Sequence, residues 1–277
     1  MGKPNKPIVA LMYDFDKTLS PKNMQDYGFM EGLGMSPDEF WSECTRLTHK
    51  NNMDSILSYM YLMLEKGRSS MLTKRENFNA LGKSVKLFPG VRTWFGRVND
   101  YCEQQGLQCE HYIISSGLKE IIEGTEIAGE FKEIYAAEFL YGDNGLAEWP
   151  AMAVNFTSKT QFLYRVNKGV LDVTDQHSLN NYLPDAERRV PFTNMIYFGD
   201  GDTDVPCMKL TRVNGGHSIA VYQDDDKEAT KLIHEGRVNF AFKADYSHGK
   251  KLEKTVFTII DKIAAMEQLR AEARSQR

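Results

Sequence analysis

Two aspartates with one residue between them, Asp14 and Asp16, close the apolar run VALMYDFD at residues 9–16. A later run, MIYFGDGDTD at 195–204, ends in Asp200, Asp202 and Asp204. Between them, HYIISSG at 111–117 ends in Ser115, Ser116 and Gly117, and SKTQF at 158–162 places Lys159 at a helix start. One DxD pair alone reads as a solvated strand end. Polar residues at several strand ends together read differently, because open α/β sheets bind ligands at the carboxyl ends of their strands. Oxygen ligands without histidine or cysteine suit Mg2+, which keeps waters and substrate phosphate in its shell. One carboxylate can attack phosphorus. A second can protonate the leaving oxygen and then deprotonate the attacking water. A serine hydroxyl, neighbouring N–H groups and a lysine can hold the phosphoryl oxygens as their charge shifts. The set points to phosphoryl transfer from a small phosphomonoester.

Competing readings of the same residues are weaker. A calcium loop starting at Asp200 would need glycine at its sixth position and glutamate at its twelfth; Val205 and Thr211 stand there. Asp202 is equally well a solvated loop residue. Lys159 alone would be a surface lysine; its place between the serine and aspartate runs is what singles it out. Arg68, Lys74 and Arg75 read as a solvated face, and DDDKE at 224–228 as an acidic helix start favoured by the helix dipole. The tail RAEARSQR reads as a fraying helix end.

Such residues need a sheet to position them. IVALMY (8–13), HYIIS (111–115) and MIYFG (195–199) are apolar without alternation, as expected of parallel strands covered on both faces. IYAAEFLY (134–141) and SIAVY (218–222) add two more strands, and Asn144-Gly145 signals a hairpin. Helical patterns lie between. GLKEIIEGTEIAG follows the second strand. SKTQFLYRVNKG offers Ser158 as N-cap and Gly169 as stop. DTDVPCMKL carries Pro206 in its first turn. Lys250 to Arg274 reads as one long amphipathic helix. Residues 20–86 contain no convincing strand; they open a helix with a Ser36–Glu39 capping pattern and carry a Met and Tyr stripe at helical spacing. The stripe reads as packing.

The 277 residues carry 42% hydrophobic and 26% charged side chains, ordinary for a globular chain, and a net charge of −4. No basic field favours nucleic acid or an anionic membrane, and no run approaches a membrane span. The polar MGKPNKP does not resemble a signal peptide. Cys44, Cys102, Cys109 and Cys207 form no CxxC pair and read as free thiols, and zinc spacing is absent. The expectation is a cytoplasmic protein whose partner is a small molecule, with oligomeric state open.

In DFDKTL (14–19), IISSG (113–117), SKTQF (158–162) and GDGDTD (199–204), taken in that order, the chain resembles the haloacid dehalogenase superfamily, and in motif style its phosphoserine phosphatase branch. The resemblance spans about residues 7–222. It implies an α/β fold, a Rossmann-like doubly wound parallel sheet with a helical cap inserted after the first strand. The core would be 1–19 with 87–277, and the cap 20–86. It also implies Asp14 as nucleophile and Asp16 as acid/base lending its backbone carbonyl to Mg2+. Asp200 joins Asp14 and Asp16 as a metal ligand. Ser115, Ser116, Gly117 and Lys159 would bind phosphate, with Thr18 and Asp204 in support. The second aspartate, which dehalogenases and pump ATPases of the family lack, favours phosphomonoester chemistry. Phosphoserine phosphatases carry a glutamate seven residues after that aspartate; here Asn23 stands there, neutral, which predicts substrates without an α-amino group. The alternatives are a phosphomutase using the same aspartyl-phosphate, or a non-catalytic phosphate-binding protein.

Overall fold

The structure is a computed structural model that describes residues 6–69, 71–201 and 203–276. Met1–Asn5, the polar start noted above, and Asp202 lie outside the described residues. Seven strands form one sheet: β1 (Ile8–Tyr13), β2 (Gln108–Leu118), β3 (Glu133–Tyr141), β4 (Ala147–Met152), β5 (Met195–Gly199), β6 (His217–Tyr222) and β7 (Phe240–Lys243). Their order is β4-β3-β2-β1-β5-β6-β7, parallel throughout except for the β3–β4 hairpin. From β1 the chain winds outward through β2 and β3, then returns to the other side of β1 as β5. That reversal places a topological switch point between β1 and β5, where such sheets open a crevice at their carboxyl ends.

The helices are α1 (Phe29–Gly32), α2 (Pro37–Asn51), α3 (Ser55–Gly67), α4 (Arg75–Gly82), α5 (Val91–Gln104), α6 (Lys119–Glu123), α7 (Phe156–Lys168), α8 (Gln176–Asn180), α9 (Val205–Val213), α10 (Lys227–His234) and α11 (Lys251–Ser275). Period-two alternation sorts the central strands between two apolar layers. Val9, Leu11 and Tyr13 of β1 pack with Trp94 of α5 and Val256 of α11. Ile8, Ala10 and Met12 pack with Phe162 of α7, Met208 of α9 and Leu232 of α10. Both faces are covered, which is why these strands read as unbroken apolar runs.

Several details differ from the sequence reading. The hairpin signalled at Asn144-Gly145 closes onto β4, which carries Pro150 at a sheet edge, where a missing N–H is tolerated; β7, with only four residues, was not anticipated. Ser158 is not the N-cap of α7; Asn155 is, and Ser158 completes the capping box three residues in. Gly169 does end that helix, at φ +77°. The pattern after β2 yields only the five-residue α6, because Gly124 must end it. A Cβ there would lie 1.8 Å from the Asn79 carbonyl oxygen of α4. Ser36 and Glu39 form the expected capping box of α2, and the Met and Tyr stripe of α3 is buried: Tyr59, Met60 and Met63.

Candidate active site

The loop after β1 begins with Asp14 N–H donating to the Phe198 carbonyl of β5 at 2.9 Å, which draws its end against the end of β5. The chain then turns around the Phe15 carbonyl, which accepts from the N–H groups of Thr18, Leu19 and Ser20. Lys17 takes φ +56°, the left-handed region that side chains seldom adopt, to close this turn. Thr18 is buried behind the loop, its carbonyl accepting from Tyr246 Oη at 2.9 Å.

Lys159 and three aspartates meet at this crevice. Lys159 Nζ donates to Asp14 Oδ1 at 3.0 Å, to Asp204 Oδ1 at 2.7 Å and to Thr203 Oγ1 at 3.2 Å. Tyr197 Oη donates to the same Asp204 oxygen at 2.7 Å, and Asp200 N–H to the other at 3.3 Å. The Lys159 side chain is wholly buried, 0% exposed, because α7 delivers it beneath the β1–β5 crevice. One carboxylate oxygen from each of Asp14, Asp200 and Asp204 lies within 4.8 Å of the others. Lys159 neutralises part of this charge, but no cation pairs with Asp200 among the described residues.

The electrostatics follow. Burial raises the Asp14 carboxyl, Lys159 opposes it, Asp204 adds to it, and it stands at about 6. Burial, then the charges of Asp204 and Asp14, push Asp200 up to about 8. Lys159 is held well above its ordinary value; burial alone would lower it, but Asp14 and Asp204 outweigh that. A crowded, cation-poor set of hard carboxylate oxygens, without histidine or sulfur, is the donor set that Mg2+ fits.

Asp16 points to a different neighbourhood. Its Oδ1 accepts from Met24 N–H at 2.9 Å, and burial followed by the Asp14 charge raises its pKa well above the carboxylate range. Its other oxygen lies beside Gly117, where a Cβ would stand 3.1 Å from it and 2.1 Å from Met24 Cε. Gly117 thus leaves room for Asp16 and Met24 to reach the end of β2. Ser115 Oγ accepts from Gly117 N–H at 3.1 Å. β1 and β2 run in register from Ile8↔Gln108 to Tyr13↔Ile113, so Ser115 falls two residues past Tyr13's partner, beside the loop that carries Asp14 and Asp16. Ser116 Oγ is buried without a hydrogen-bond partner, while its carbonyl accepts from Tyr59 Oη of α3 at 2.7 Å.

Asn23 precedes the short turn Met24–Asp26, and its side chain makes no hydrogen bond among the described residues. The charge on that turn belongs to Asp26, whose Oδ1 accepts from Trp41 Nε1 at 3.2 Å. Sequence reasoning missed Tyr197, Thr203, Met24, Tyr59 and Asp26. Tyr197 was findable as a polar tip inside an apolar run, two residues before the acidic loop. Met24 and Tyr59 carried no signal, since one is an apolar side chain in a turn and the other lies in a helix. Arg75 stays on an exposed face, pairing with Glu138 at 3.3 Å and lying over the Tyr141 ring at 4.7 Å.

The haloacid dehalogenase-like hydrolase family profile matches residues 11–209. The chain belongs to this family. An uncharacterized protein of Borreliella burgdorferi is 31% identical over 274 residues, covering 88% of this chain and 94% of that protein. The fold is similar to a family hydrolase from Salmonella enterica serovar Typhi, with TM-score 0.58 and 18% identity over 90% of this chain and 74% of that one. It is similar to a probable phosphoserine phosphatase from Vibrio cholerae, with TM-score 0.59 and 13% identity over 95% and 67% of the two chains. A phosphoserine phosphatase holding a phospho-aspartyl intermediate analogue gives TM-score 0.52 and 12% identity over 86% and 94%.

Proposed function

We propose that this hydrolase is a Mg2+-dependent phosphatase acting on a small phosphomonoester through an aspartyl-phosphate on Asp14. One observation carries the reading: Lys159 joins Asp14 to Asp204 beside Asp200, in the crevice at the carboxyl ends of β1 and β5. Asp14, Asp200 and the Asp16 backbone carbonyl would hold the ion, which when bound offsets the negative charge of the carboxylates and phosphoryl oxygens. Asp14 attacks phosphorus as the bond to the leaving oxygen breaks. Asp16, with its raised carboxyl, gives that oxygen its proton. Water then displaces Asp14, and Asp16 takes the proton back. Lys159, the Ser115 hydroxyl and the Ser116 N–H bind the phosphoryl oxygens, the Gly117 N–H steadies the Ser115 oxygen, and Asp204 and Tyr197 hold Lys159 in place.

Residues 20–86 are proposed as the cap that closes on the leaving group, with selectivity on the Asn23–Asp26 turn. Comparing kcat/KM for phosphoserine and for polyol phosphates, in wild type, Asn23→Glu and Asp26→Asn, shows whether that turn reads an amine. The site of action is proposed to be cytoplasmic. Phosphate release from a panel of phosphomonoesters, with Mg2+ and with EDTA, tests the reading. Release is expected with Mg2+ only, and Asp14→Asn should lower it by at least roughly three orders of magnitude. Wild-type release by that variant would refute the nucleophile.

A further inference from the structure

We propose a second binding site at the opposite end of the sheet, for an organic phosphate carrying a flat ring, of the size of a nucleoside monophosphate. A cavity of about 870 Å3 lies below the amino ends of β1 and β5, between α7, residues 185–194 and the last turns of α11. That volume suits a small-molecule ligand. It lies roughly 20 Å from Asp14, the rise of β1 at about 3.3 Å per residue.

Four arginines line the cavity, and two of them are fully engaged. Arg189 forks onto Glu110 at 2.6 and 2.8 Å. Arg270 bonds Glu267 and donates to Thr193 Oγ1 at 2.9 Å. Asn194 locks this floor, donating to the Ile8 carbonyl at 3.2 Å and to Glu267 at 3.1 Å. The other two arginines have donors to spare. Arg188 Nε is buried without a hydrogen-bond partner; its ion pair, to Asp185 at 3.6 Å, is long and reaches a carboxylate that stands wholly in solvent. Arg274 pairs with no carboxylate among the described residues.

A buried guanidinium N–H without an acceptor is costly, and a planar guanidinium fork matches a phosphate. The remaining wall is apolar and aromatic. Phe192 meets Tyr164 edge-on at 5.5 Å, and Tyr164 keeps 42% of its surface open, a face on which a ring can stack. A guanidinium held only by a long pair to a solvent-exposed carboxylate, and the exposed Arg274 beyond it, stand beside an open aromatic ring and suit a ligand with both an anionic and a planar part. None of these residues belongs to the catalytic set.

The probe is adenosine 5′-monophosphate, titrated calorimetrically into the full-length protein in EDTA. Binding is expected in the wild type. Arg188→Ala with Arg274→Ala, and separately Tyr164→Ala, should each weaken it by at least about tenfold. Their hydrolysis of an aryl phosphate should stay at the wild-type rate. Arg188→Lys keeps the charge but loses the fork, and should weaken binding too, which separates recognition from a folding defect. No binding by the wild type up to roughly 5 mM overturns the site. So does undiminished binding by the arginine and tyrosine variants, because the nucleotide then sits elsewhere.

Discussion

Asp14 and Asp16 are two residues apart and stand in different surroundings. Asp14 faces Lys159 at 3.0 Å, and Asp16 faces the Met24 N–H at 2.9 Å and lies beside Gly117. Asp16→Asn removes a proton donor and leaves the Asp14–Lys159 contact intact. Its loss of turnover should be large on alkyl phosphates, whose leaving oxygen needs a proton, and much smaller on an aryl phosphate. Equal losses on both, with chemistry limiting the rate, would rule out the acid role. Lys159 is a different case, since its burial ties catalysis to folding. Lys159→Ala strips the cation from Asp14 and Asp204 while both stay buried. Breaking a buried pair in this way costs about 3–5 kcal/mol, and urea unfolding in EDTA should show a loss of that order. Mg2+ should restore part of it. Unchanged stability would mean that the acidic cluster is neutralised by something other than Lys159. The identities of these residues were legible because hydroxyl, ammonium and carboxylate groups ended apolar runs in a telling order. The burial of Lys159 was not, since one helix start in a sequence looks like another.

Elements supply what no single residue can. That the polar groups sit at the ends of parallel strands was legible from three unalternating apolar runs; that β1 and β5 are neighbours was not. The close approach of α4 to α6 was not, because glycine reads first as a turn and only geometry shows it as a contact. Gly82 would place a Cβ 2.3 Å from the Ile121 carbonyl oxygen, and Gly124 one 1.8 Å from that of Asn79. Both approaches are backbone to backbone, so no side chain can move aside. Gly124→Ala should therefore destabilise the protein by about 2–3 kcal/mol, the range of overpacked contacts or somewhat above. Gly129→Ala, whose Cβ meets nothing within 4 Å, is the matched control and should stay within about 0.5 kcal/mol. Equal midpoints for the two variants in urea would show that α4 can separate from α6. The same contact bears on the proposed cap. α4 is fastened to the core, whereas α3 reaches across by Tyr59 to the Ser116 carbonyl and by Asp54 to Asn155.

At the scale of the whole molecule, the two ends of the chain's core are joined through charge. Glu253, in the first turn of α11, accepts from Arg97 of α5 and from Gly249 N–H, with His248 Nδ1 at 3.1 Å. Arg97 also donates to the Tyr246 carbonyl, and Tyr246 Oη holds the Thr18 carbonyl behind the nucleophile loop. The long tail helix was legible from its apolar spacing, but nothing in the sequence pairs Arg97 with a residue 156 positions away. Burial alone would raise the Glu253 carboxyl; the donors from Arg97, Gly249 and His248 outweigh it and hold it below the usual range. The folded-state pKa is therefore depressed relative to the unfolded chain, near 4.3. A group of this sign adds stability that is fully present above the unfolded value and is lost as pH falls through the folded one. Asp14 and Asp200 are shifted the opposite way, so the pH profile of the wild type alone mixes both signs. The difference between wild type and Glu253→Gln isolates this one. The variant should be less stable by roughly 1–3 kcal/mol at neutral pH, the worth of hydrogen bonds to a charged group. Urea midpoints taken from neutral pH down to about 3.5 should show that gap steady above the unfolded pKa and closing below it. A gap that stays constant to the acid end, or widens there, would mean that Glu253 is not held as a carboxylate by Arg97.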